Sequence, residues 1–182
     1  MSSVLADLRA ACPPRSLSPS EARLVAERQA SKLLRRMEVT EPPVPEQVID
    51  NVPRVEVRFR KASRLSGTTK WSGGRWLILI NATDTWGRQR FSLAHEFKHL
   101  LDWPLASRIY RDGRRSGHFQ GERAADWFAA ALWMPRPWVK RAFYNDRIRD
   151  EHELARRFQV SVAAMRVRID ELGLYEPRKV AA

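Results

Sequence analysis

The chain has 182 residues, 43% of them hydrophobic, with 7 Trp and 7 Phe; this suffices for one well-packed core and a small appendage but not for two large domains. No run reaches the roughly 18 apolar residues of a membrane span, and the opening MSSVLADLRAAC lacks the basic-then-apolar order of a secretory signal, so a cytoplasmic protein without membrane association is expected. The net charge of +12 invites a nucleic-acid reading, but 27 of the 33 basic residues are Arg, which a coding bias also produces. The single cysteine, Cys12, rules out an internal disulfide and leaves any metal site to His and carboxylate ligands.

In chain order, residues 1–17 have no sustained period and read as a flexible tail carrying Cys12. Ser18-Pro19-Ser20-Glu21 reads as a helix start, with Ser18 as N-cap, Pro19 at the first helical position and Glu21 closing a capping box. A helix to about Met37 follows, ended by Pro42, Pro43 and Pro45, with one further helical turn in PEQVIDN. VEVRFRK (55–61) alternates like a half-wet strand, and WLILI (76–80) is continuous like a buried one; with Ser72-Gly73-Gly74 as a turn, they predict a small antiparallel sheet. Residues 54–75 carry a local charge of +6, which suits either an acidic partner or an ordinary solvated face. Asp84 or Thr85 caps a helix running to Trp103, where Pro104 stops it. Leu105 to Gly121 reads as a loop, Glu122 to Met134 as a helix apolar nearly all round, and PWVKRAFYN as a short helix. The segment from Glu153 to Leu174 gives two helices broken near Gln159, the second capped by Ser161 and ended by Gly173.

The helix after the sheet carries HEFKH: His95, Glu96 and His99. At this chain's His and Glu frequencies the pattern arises by chance about once in two hundred such sequences. Residues four apart lie about 6 Å from each other on one helix face, so both imidazoles can reach one ion. At 100° per residue Leu93, Phe97, Leu100 and Leu101 form the core stripe, and the histidines fall nearly opposite. A third ligand is needed. Asp102 is about 7.5 Å along the helix from the midpoint of the pair, too far for its short side chain, and the position six after His99 is Leu105. Glu122 is the best remaining ligand, because it opens the other buried helix after a segment long enough to reverse the chain. Asp126, one turn on, is placed to accept the outer ring N–H of a liganding histidine. The alternative for both carboxylates is pairing with arginines such as Arg123. Ala124, Ala125, Ala129, Ala130 and Ala131 would let the two helices approach closely.

With these residues assembled, RFSLAHEFKHLL (90–101) and ERAADWFAAALWMP (122–135) resemble the two motif blocks of the ImmA/IrrE family of zinc metallopeptidases, a resemblance extending over about 20–174. It implies an α+β fold: a mainly helical, gluzincin-like (zincin-like) domain over 18–145 with a small antiparallel sheet, a helix-turn-helix-like helical subdomain over 146–176 packed on it, and a tail at 177–182. It also implies Zn2+ held by His95, His99 and Glu122, with Glu96 as the catalytic carboxylate. Lys98 stands where the family commonly has Gly and is expected to border the cleft; an additional His often seen a few residues on is here Trp103 or another residue. His118 is either an oxyanion stabiliser or a solvated loop histidine. The implied activity is endopeptidase cleavage of a helix-turn-helix repressor or antitoxin encoded nearby, with Trp76 to Ile80 or its neighbour holding the substrate by strand addition. Family members of this kind serve transcription regulation, toxin-antitoxin pairs or mobile elements. Two rivals stand beside it: a DNA-binding transcriptional regulator using the C-terminal helix pair, and a zinc-bound protein that binds its partner without cutting it. Against the first, residues 146–171 hold six Arg and six acidic residues, and the second helix opens with Val162, Ala163 and Ala164, which read no base edges.

Overall fold

The computed structural model describes residues 3–61, 65–110 and 117–174, which form nine helices and three strands. The N-terminal stretch is folded and is no tail. α1 (Val4–Arg9) is capped by Ser3 and buries Leu5 and Leu8, an i, i+3 pair too short to stand out as a period. Its last residue, Arg9, donates from Nε to the Leu101 carbonyl at 2.9 Å and from Nη2 to the Leu100 carbonyl at 3.1 Å. Cys12 and Leu17 are buried with Val25, Ile109, Tyr110 and Ala124 in a small second core, so Cys12 is a core residue, and burial followed by the field of Asp102 raises its thiol pKa.

α2 (Pro19–Arg36) starts as its sequence requires. The N–H of Glu21 donates to Ser18 Oγ and the N–H of Ser18 to the Glu21 carboxylate, which closes the capping box from both sides. α3 (Gln47–Asp50) is the single turn expected in PEQVIDN. β1 (Val55–Arg60), β2 (Gly67–Ser72) and β3 (Arg75–Asn81) form one sheet in the order β1-β3-β2. β2 and β3 are an antiparallel hairpin turned by Gly73 and Gly74, both at positive φ, but β1 pairs with β3 in parallel. The sheet is therefore mixed rather than antiparallel. Alternation along VEVRFR sets which face is buried and carries no information on strand direction. Central β3 buries Trp76, Leu77, Ile78 and Ile80, which accounts for its unbroken apolar run.

α4 (Trp86–Asp102) follows from an N-cap at Thr85 and packs across β2 and β3 with Leu93, Ala94, Phe97, Leu100 and Leu101 buried. The segment expected as a loop holds a helical turn, α5 (Ala106–Ile109), and the first five residues of α6 (Gly117–Trp133); residues 111–116 lie outside the described ones. Two glycines disguised that early start, and Gly121 is where the α6 backbone lies against the Tyr110 ring. α6 packs on α2 and α4. Ala124, Ala125 and Ala129 are fully buried, and the Phe97 and Phe128 rings meet at 5.9 Å. At the other end of α4, buried Arg90 lies 4.2 Å over the Trp133 ring while Trp133 Nε1 donates to the Arg90 carbonyl.

α7 (Arg136–Tyr144), α8 (Glu151–Phe158) and α9 (Val162–Leu172) complete the described chain. Gln159 and Gly173 adopt left-handed conformations after α8 and α9, and Ser161 caps α9. Leu154, Phe158, Met165 and Ile169 join the main core. The tail expected at 177–182 lies outside the described residues. No helix among those described is long and apolar enough to cross a membrane.

Candidate metal centre and its cleft

The heptad-like spacing of α4 separates its two jobs. Its apolar stripe is buried against the sheet and α6, while His95 and His99, one turn apart and half-buried, bring their Nε2 atoms to 3.0 Å of each other. Glu122, from α6, places Oε2 at 3.3 Å from His95 Nε2 and Oε1 at 3.2 Å from His99 Nε2. Tetrahedral coordination at 2.0–2.1 Å separates neighbouring ligand atoms by about 3.3 Å. The two imidazole nitrogens and the Glu122 oxygen nearest each are therefore close to the spacing a zinc-sized cation requires, with the ligand atoms of all three residues within 4.8 Å of one another, and they are of the nitrogen and carboxylate types that zinc takes.

Asp126 lies one turn along α6 from Glu122, with Oδ1 at 2.9 Å from His95 Nδ1. Accepting the Nδ1 proton leaves the Nε2 lone pair of a neutral His95 directed at Glu122 and His99. The alternative pairing of these carboxylates with Arg123 is not what forms: the Arg123 guanidinium lies over the Trp127 ring at 5.1 Å.

Charge in the cleft runs against that of the chain. Among the described residues lining its larger part are Glu96 and Glu122, with no Lys or Arg, and Asp102, which is paired with buried Lys98. Burial disfavours a charge on His95, but the hydrogen bond to Asp126 and the fields of Asp126, Glu122 and Glu96 outweigh it and hold its pKa above the ordinary value. His99 moves the other way, lowered by burial and by the neighbouring His95. Such surroundings attract a proton and would attract a divalent cation for the same electrostatic reason.

Glu96 faces the cleft from the same turn. Burial raises its pKa, opposed by a hydrogen bond from Thr69, whose Oγ1 lies 3.0 Å from Glu96 Oε2 and 3.1 Å from the Glu96 carbonyl. Gly67, two residues earlier on β2, leaves room for the carboxylate, since a Cβ there would come within 2.7 Å of Glu96 Cγ. In the sequence Ser66-Gly67 reads as turn chemistry, whereas Gly67 opens β2, and Thr69 carries no signal of a role at the site. The period-two set Gly67, Thr69, Trp71 was the available signal, hidden by its weak hydrophobic contrast.

Lys98 does not border the cleft. Its side chain is 1% exposed, with Nζ at 2.6 Å from Asp102 Oδ1 and 3.4 Å from Tyr110 Oη. The Tyr110 hydroxyl donates to the other Asp102 oxygen. Asp102 is thus committed to an internal pair, consistent with its exclusion as a ligand. His118 sits on α6 rather than in a loop, with its side chain 79% exposed and Nδ1 at 3.6 Å from Glu122 Oε1, at the cleft rim.

Two concavities meet at Leu65, Gly67, His95 and Glu96 and form one groove across the site. The larger arm, about 800 Å³, runs past Thr69, Trp103, Ala106 and Tyr110. The smaller, about 580 Å³, runs past Ser66, Arg88, Ser92, Asp126 and Ser161. β3 is flanked on both sides, so among the described strands the one that borders the groove as an edge strand is its neighbour, β2.

Comparison with known proteins agrees with this architecture. A Mycobacterium tuberculosis transcriptional regulator of known structure superposes with a TM-score of 0.63 at 17% sequence identity; the match covers 99% of this chain and 55% of that one. The likeness is one of fold, and the chain spans little more than half that regulator's length. No match is found among curated proteins. The sequence profile of the IrrE N-terminal-like domain, Peptidase M78, matches residues 54–170, which take in the sheet, both motif helices and most of α9. The chain therefore belongs to the IrrE N-terminal-like, or Peptidase M78, family, the ImmA/IrrE family that its two motif blocks resemble.

Proposed function

We propose that the chain is a zinc-dependent endopeptidase that hydrolyses a peptide bond in a protein partner. The observation that carries this reading is the meeting of His95, His99 and Glu122 at coordination spacing beside a buried Glu96, in a groove that runs past the site in both directions. Bound zinc would supply Lewis acidity, lowering the pKa of a coordinated water and polarising the scissile carbonyl.

The remaining work falls to the chain's own residues. Glu96 takes the proton of the attacking water and delivers it to the leaving amine nitrogen. Its burial favours the protonated form between these two transfers. Thr69 fixes the rotamer of the Glu96 carboxylate from the edge of β2, and Asp126 holds the His95 ring in the tautomer that presents Nε2. Main-chain groups on the outer edge of β2 would pair with an extended substrate, giving affinity with little dependence on sequence.

For the partner, the family resemblance favours a helix-turn-helix repressor or antitoxin encoded nearby, whose cleavage would alter gene expression. Direct DNA binding by α8 and α9 is the weaker reading. α9 buries Met165, Arg168 and Ile169 against the body of the protein and pairs Arg166 with Glu151, so few cations remain to face phosphates.

The test is incubation of the purified protein with the neighbouring regulator, with fragments followed by mass spectrometry and metal by elemental analysis. Fragments together with about one zinc per chain are expected, and wild-type protein that neither binds zinc nor takes it up overturns the proposal. Two variants probe the supporting residues. Asp126→Ala, by releasing the His95 ring, weakens zinc binding about 10- to 100-fold in a chelator competition. Gly67→Val pushes on the Glu96 side chain, so cleavage falls at least about tenfold, as expected when a catalytic group is displaced, while zinc content is unchanged.

A further inference from the structure

The two arms of the groove differ in chemistry, and the difference follows from strand parity. Gly67, Thr69 and Trp71 point to one face of β2, and their partners on β3 are Ile80, Ile78 and Trp76. Gly67 and Thr69 meet Glu96 on α4. Continuing along the same face, Trp71 contacts Trp76 edge-on at 5.3 Å, and Trp76 contacts Trp103, just past the end of α4, at 6.0 Å. Trp76 is buried, but Trp71 is 52% and Trp103 71% exposed. Two large aromatic surfaces are thus held in place by a third and left open to solvent. Trp103 itself lines the larger arm, with Ala106 and Tyr110 beyond it. The smaller arm, on the other side of Glu96, is more polar: it offers Ser66, Arg88 and Ser92 beside a single ring, Phe91.

We propose that Trp103, backed by Trp76 and Trp71, forms a binding site for a large apolar side chain of the substrate, N-terminal to the scissile bond. This deepens the peptidase reading and rests on it for the meaning of the scissile bond. The direction follows from pairing geometry. β2 runs from Gly67, at the junction of the two arms, through Thr69 toward Trp71. A substrate strand added antiparallel, the somewhat more stable pairing, runs from Trp71 back to Gly67, so its residues in the larger arm precede the bond at Glu96. From Glu96 to Trp103 is seven residues of helix, about 10 Å, or about three residues of extended peptide. The favoured side chain therefore lies two to four residues before the cleaved bond. Burying a Phe or Leu there is worth about tenfold or more in affinity.

The test uses fluorescein-labelled decapeptides of constant polar sequence in which one Phe is moved from position to position. Zinc-loaded Glu96→Gln protein serves for binding by fluorescence anisotropy and wild type for cleavage. The expected result is tightening by about tenfold over the Phe-free peptide for some positions of Phe, a difference lost in Trp103→Ala and retained in Trp103→Phe. Because Trp103 is mostly exposed, its replacement leaves the fold intact, which a thermal melt checks. Equal binding of all peptides, binding too weak to measure, or a preference that survives Trp103→Ala overturns the proposal. If peptides are cut with a preference for Phe after the bond, its direction is overturned. Cleavage with no Phe preference removes this site and leaves the peptidase reading; a Trp103-dependent Phe preference in binding without cleavage by wild type keeps the site and removes that reading.

Discussion

Glu96→Gln lowers cleavage of the partner by about 10²- to 10⁴-fold, the range of a lost general acid–base group, with zinc content and melting temperature close to those of wild type. The substitution is nearly isosteric, so Thr69 still has an oxygen to bond and the space above Gly67 is unaltered. What is lost is a group that can hold a proton at one step and release it at the next. The histidines and Glu122 keep their positions, since no contact among them passes through Glu96. Mass-spectrometric fragment counts at matched zinc occupancy decide the matter. A Gln variant that cuts at the wild-type rate would remove Glu96 from the mechanism. A variant that loses both zinc and cleavage would make Glu96 part of the metal site instead.

Lys98→Met is expected to cost about 3–5 kcal/mol of stability, because it leaves the Asp102 carboxylate buried without its cation. Lys98 and Asp102 are among the most buried charged residues in the described chain, and Tyr110 is the other donor to that carboxylate. For a chain of this size the loss corresponds to a fall in melting temperature of about 6–20 °C. Neutralising the partner as well, in Lys98→Met with Asp102→Asn, recovers most of it, since the amide oxygen still accepts from Tyr110 without a charge to solvate. Below the melting transition the single variant still binds zinc, because Nζ is bonded to Asp102 and Tyr110 and makes no contact with the three candidate ligands. Loss of zinc in the folded Lys98→Met protein, or a melting change under a degree or two, would show that the lysine does something other than balance Asp102. The departure from Gly at position 98 is thus balanced by Asp102, one turn along α4, and by Tyr110.

The site was legible to different depths. His95, Glu96 and His99 are placed by helical period alone: residues four apart share a face, and the stripe of Leu93, Phe97, Leu100 and Leu101 says which face that is. Glu122 and Asp126 could be named because two carboxylates one turn apart on an otherwise apolar helix need cationic or protonated partners, and the structure brings both to His95. Thr69 and Gly67 could not be. Their position beside Glu96 depends on how β2 pairs with β3 and how α4 crosses both, and polar residues in a short edge strand leave no period to read. The N-terminal helix was missed for a related reason: six residues with two buried leucines gain their stability from Arg9 reaching the carbonyls at the end of α4, a contact some ninety residues away in sequence.

By itself the sequence determined whatever rests on short-range periodicity and capping: the start of α2 at Ser18, the buried character of β3 and α6, the break at Gln159, and the shared face of the two histidines. Only the tertiary structure decided strand direction, the fate of Lys98 and the shape of the groove. Alternation marks faces but not direction, so β1 could run either way until its neighbour was known. A lysine beside a histidine of the HEFKH motif could point into the cleft or into the core, and Asp102 and Tyr110 settled it by offering the ammonium three buried oxygens. The HEFKH helix gives one wall of the groove; the facing wall is the edge of β2, which long-range pairing alone could put there.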